Sequence, residues 1–134
     1  MRLAAPLLTI GTLGAATLAL HVRDPHAQGS WGICPSAALG FWCPGCGGLR
    51  AVNDLTHGDV AAAFSSNALA VSLMPLAVLG LLLWVRSSWQ GRRDPATVLI
   101  ERGGRPLVVV GVVVIVAFTL LRNLPVAPGL WLAP

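Results

Sequence analysis

The chain has 134 residues, 55% of them hydrophobic and 10% charged, with a formal net charge of +4. Soluble domains carry about 25% charged residues, so a soluble globular enzyme and a disordered tail are both excluded. The length suits one membrane domain, residues 1–134. All nine basic residues are arginine, dispersed between apolar stretches. No basic fold module accompanies them, so the charge reads as membrane orientation and contact with the lipid bilayer, not as nucleic-acid binding.

The first apolar stretch, residues 3–22, is uncharged and carries Thr9, Thr12 and Thr17. It exceeds the usual signal-peptide core of about 7–15 residues, so a retained anchor is expected, with cleavage near Thr17-Leu18-Ala19 as the alternative. A cysteine-containing insertion, residues 31–66, follows. Within it Leu49 to Leu55 reads as a short helix ended by Gly58, and Asp59 caps a second, Val60 to Ser65.

The second span is expected over residues 68–85, where Pro75 should kink it and be tolerated as a membrane proline. The third, residues 107–124, is dense in valine. A lone strand would leave its backbone unpaired in lipid, so this segment is expected to be a helix with Pro106 in its first turn. It approaches the required length of about 20 residues when Arg122 snorkels to the headgroups. Trp31, Trp42, Trp84, Trp89 and Trp131 lie at or beyond the span ends, where an indole has one wet edge. The fold class is therefore an all-α integral membrane protein, with about three spanning helices and a short helical insertion between the first and second.

The segment from Arg86 to Arg105 is expected to be a loop and carries five arginines, at 86, 92, 93, 102 and 105. The segment from Arg23 to Asn67 carries only Arg23 and Arg50. The positive-inside rule places the first in the cytoplasm with the N-terminus, and the cysteine insertion outward.

The insertion holds Cys34, Cys43 and Cys46, the last two in Cys-Pro-Gly-Cys-Gly. Proline and glycine fix a tight turn that brings two sulfurs together, like the knuckle of a zinc ribbon. Four ligands are then wanted, and Cys34, Cys43, Cys46 and His57 would supply them to zinc, with His21 and His26 as competitors. The same residues support a redox reading. Cys43 and Cys46 form a C-x-x-C before a helix, where thiolate is favoured, and Cys34 would be a resolving thiol. A third reading is a disulfide staple in an oxidising compartment, with one thiol over.

Arg50 either pairs with Asp54 at i,i+4 or provides a cation for thiolate or a bound anion. Asn53 and Asn67 are expected as polar glue near the membrane. There is no Ser/His/Asp triad, paired carboxylate or P-loop. The leading reading is non-enzymatic: the cysteine turn orders the insertion for assembly with a membrane-protein partner or a second copy. A thiol–disulfide oxidoreductase is the alternative.

Cys34, Pro35, Gly40, Cys43, Pro44, Gly45, Cys46, Gly47 and Arg50 are followed by Leu55, His57, Gly58, Asp59 and Asn67. This combination resembles the bacterial membrane protein family of domain of unknown function 2752. Ala68 stands where the family usually has proline. The resemblance implies a small multi-span protein of a bacterial cell membrane and supplies no mechanism.

Overall fold

The computed structural model describes residues 3–27 and 35–125. The elements are α1 (Ala4–Val22), α2 (Pro35–Ala38), α3 (Gly48–Thr56), α4 (Val60–Gln90) and α5 (Pro95–Arg122), with no strand among the described residues. Three of these, α1, α4 and α5, are long and apolar enough to cross a membrane. Their leucines and valines are largely exposed, as helices facing lipid require. Cys34, Trp31 and Trp131 lie outside the described residues.

The small core lies where α3 packs on α4. Ala51 and Ala63 are both fully buried and lie in one cluster with Val71, flanked by Leu55 and Phe64. Alanine at both positions lets the two backbones approach closely. Asn53 ties α3 to the end of α1, its Nδ2 donating to the Leu20 carbonyl at 2.7 Å. Asp59 caps α4 by accepting from the Ala62 N–H at 2.8 Å, as the sequence leads one to expect.

Two features, the helical course of residues 86–105 and the burial of Arg122, differ from the sequence reading. The backbone of α4 leaves helical geometry at Asn67 (φ −161°, ψ 92°), between the short helix expected to end at Ser65 and the span expected from Ala68. Asn67 Oδ1 accepts from the Ala70 N–H at 2.9 Å, so it caps the helix that resumes and makes the break favourable. The segment 86–105 is mostly helical: α4 runs on to Gln90, and α5 begins at Pro95 after a cap by Asp94 on Thr97. Arginines end an apolar run without ending a helix, because straight-chain residues are good helix formers. A second break at Gly104 (φ 48°, ψ −144°) separates this interfacial part of α5 from its apolar part, which restarts at Pro106 as expected. Finally, Arg122 does not snorkel; it is 1% exposed.

The end of α1, the start of α4 and the end of α5 all meet the insertion. The opposite end collects Arg86, Arg92, Arg93 and Arg102 around the α4–α5 connection.

Candidate functional site

Residues 44–47 form a turn that leads directly into α3. It closes through Cys46 N–H to the Cys43 carbonyl at 3.0 Å and Gly48 N–H to the Gly45 carbonyl at 3.0 Å. Gly47 takes the left-handed conformation (φ 78°) at the N-cap of α3, a position that disfavours any Cβ. The turn places Cys43 Sγ and Cys46 Sγ 2.9 Å apart. Two thiolates sharing a tetrahedral zinc stand about 3.8 Å apart, given Zn–S bonds of ~2.3 Å. Cys46 is buried and Cys43 half-buried. Ser36 Oγ, on α2, lies 3.7 Å from Cys46 Sγ.

Three side chains from the spanning helices hold this turn by its backbone. Asn67, fully buried at the break in α4, donates Nδ2 to the Pro44 carbonyl at 2.9 Å and to the Cys46 carbonyl at 3.0 Å. Arg122, at the end of α5, donates Nη1 to the Cys43 carbonyl at 3.0 Å and the Cys46 carbonyl at 3.2 Å. Asn123 pairs with Trp42 as a strand would: the Trp42 N–H donates to its Oδ1 at 2.9 Å, and its Nδ2 donates to the Trp42 carbonyl at 2.8 Å. The carbonyls of Trp42, Cys43, Pro44 and Cys46 thus each accept a side-chain donor, which is what main-chain groups taken out of water need.

Arg122 has more to give than it uses. Its Nε and Nη2 are buried without a hydrogen-bond partner among the described residues. Its guanidinium lies 5.0 Å from the Phe118 ring centroid. None of the ion pairs among the described residues includes it.

His57 follows α3, separated from the turn by about 13 Å of helix at 1.5 Å rise per residue. There it stacks on His21 with ring centroids 4.4 Å apart and donates Nδ1 to the Asn53 carbonyl at 2.9 Å. Among the described residues no three of His, Cys, Asp and Glu are arranged to hold a metal ion. Arg50 does not pair with Asp54. That carboxylate is buried, accepts from Ser66 Oγ at 2.8 Å and lies 3.3 Å from His26 Nε2. His26 also binds Asp24, and hydrogen bonds from its backbone N–H and ring hold the Asp24 carboxyl below the usual range. A cation that touches the cysteine turn is Arg122, 76 residues beyond Cys46. One sequence signal pointed to it: an arginine that interrupts an apolar span is a functional candidate by default.

Residues 34–81 match the family described as "Protein of unknown function (DUF2752)", the family that the cysteine motif resembles. The matched stretch contains the turn, α3 and Asn67, whereas Arg122 and Asn123 lie beyond it. No curated protein and no solved structure matches the chain.

Proposed function

We propose that Cys43 and Cys46 are a reversible dithiol–disulfide couple at the surface of a multi-pass membrane protein. The observation that carries this reading is the 2.9 Å approach of the two sulfurs on a turn held by side chains of α4 and α5. Their partner is a disulfide, R–S–S–R, of a protein or a small thiol. The half-buried Cys43 attacks as thiolate; one R–S⁻ leaves and takes a proton. The thiolate of Cys46 then attacks Cys43 Sγ in the mixed disulfide and expels the second R–S⁻. Two electrons pass from the chain to the partner, and two thiols leave as R–SH. Arg122 supports the first step, because a buried cation with unused donors favours sulfur as thiolate. By the positive-inside rule the couple faces outward, where disulfide chemistry is permitted.

The clamp favours a second role for the same turn, ordering the insertion on the ends of α4 and α5. This role needs no metal and is compatible with the first.

The test is thiol counting on full-length protein in native membranes, equilibrated across glutathione redox buffers and trapped with a mass tag. The reading expects Cys43 and Cys46 to gain and lose their tags together at one midpoint. Tags that never change across the buffers, or one zinc per chain with thiols exposed only by chelator, would overturn it.

A further inference from the structure

The arginine end carries an open pocket of about 440 Å³ between the last turns of α4 and the first turns of α5. Four arginines line it: Arg86 on α4, Arg92 and Arg93 in the connection, and Arg102 on α5. No carboxylate is in the lining. Arg93 makes a long, exposed contact of 3.7 Å with Glu101. Among the described residues Arg86, Arg92 and Arg102 form no ion pair at all. Beside Ser87 and Gln90, the rest of the wall is apolar, chiefly Leu83, Val98 and Leu99, residues of two spanning helices whose apolar side chains are largely exposed. Trp89, 78% exposed, stands on the same last turns of α4, where an indole anchors at the headgroup level.

We infer that this pocket binds the headgroup of an anionic phospholipid, with the phosphate on the arginines and the first acyl carbons on the leucines. Arginine suits the phosphate because its planar fork matches two oxygens. The apolar wall decides the source, since a free phosphate would have no use for it. The helical course of residues 95–103 sets Pro95, Val98, Leu99 and Arg102 on the pocket; an irregular loop would scatter the same groups. The pocket residues lie outside the stretch matched by the family, so the site does not rest on that match or on the chemistry proposed for the cysteines.

The experiment is native mass spectrometry of the full chain in a neutral detergent, titrated with phosphatidylglycerol or phosphatidylcholine of identical acyl chains. The expected result is about tenfold tighter retention of phosphatidylglycerol. Arg92→Gln and Arg102→Gln should each lower that preference by about fivefold. Arg105→Gln removes the same charge at the same end, outside the lining, and should leave the preference unchanged. Equal retention of the two lipids would overturn the proposal. So would an Arg105→Gln loss as large as the other two, which would mean diffuse charge, or displacement of phosphatidylglycerol by millimolar inorganic phosphate, which would mean a soluble ligand.

Discussion

The two ends of the bundle use arginine in opposite ways. At the arginine end, Arg86, Arg92, Arg93 and Arg102 are exposed around an open pocket and contribute charge. At the cysteine end, Arg122 is buried and contributes hydrogen bonds to two main-chain carbonyls. What separates them is the availability of acceptors. A turn satisfies only some of its carbonyls internally, here those of Cys43 and Gly45, so a turn seated on the helix ends draws in Asn67, Arg122 and Asn123. Where the neighbouring backbone is already helical, the side chains remain turned to water and headgroups. Substitutions should therefore be costly at one end and nearly silent at the other.

The largest loss is expected for Asn67→Ala. It leaves the Pro44 carbonyl without a donor and removes the cap of the resumed helix. The cost should be about 3 kcal/mol, one buried carbonyl plus one cap, read from the denaturation midpoint in detergent. Arg122→Met comes next at about 1–2 kcal/mol. Its loss of two bonds is offset in part because two unpartnered buried donors leave with it. This variant should also slow alkylation of Cys43 by roughly tenfold, and Arg122→Lys should restore part of that rate. A change in stability without a change in rate would confine Arg122 to the clamp. Asn123→Ala removes the paired bonds with Trp42 and should cost about 1 kcal/mol, since Trp42 is only half-buried and water replaces them in part. The smallest effect belongs to the other end: Arg93→Gln should stay within about 0.5 kcal/mol in the same assay. A loss there comparable to that of Arg122→Met would break the contrast between the ends.

The spans were legible because hydropathy is a local property of about 20 residues. The insertion was legible for a similar reason: Asp59 and Gly58 mark helix ends within a few residues of themselves. The extent of the helices was not, because the arginines after Val85 interrupt the apolar run and leave the helix intact. In the site, Cys43 and Cys46 were visible through their spacing, and Asn67 through its place at the head of a span. The partner of the turn was not visible. Arg122 reaches Cys43 across 79 positions of chain, and Arg50, only four residues from Cys46, was the nearer candidate. His57 stands close to the cysteines in sequence, but it follows α3 at the end away from the turn and stacks there on His21.

If Cys43 and Cys46 form the proposed couple, their sulfurs bond to each other on oxidation. Chymotryptic cleavage after Trp42 separates Cys34 from that pair, so mass mapping of mildly oxidised full-length protein reads the linkage directly. The expected result is a Cys43–Cys46 bond within one fragment and Cys34 on another, unlinked to either. A fragment joining Cys34 to Cys43 or Cys46 would contradict it and make the cysteines a staple.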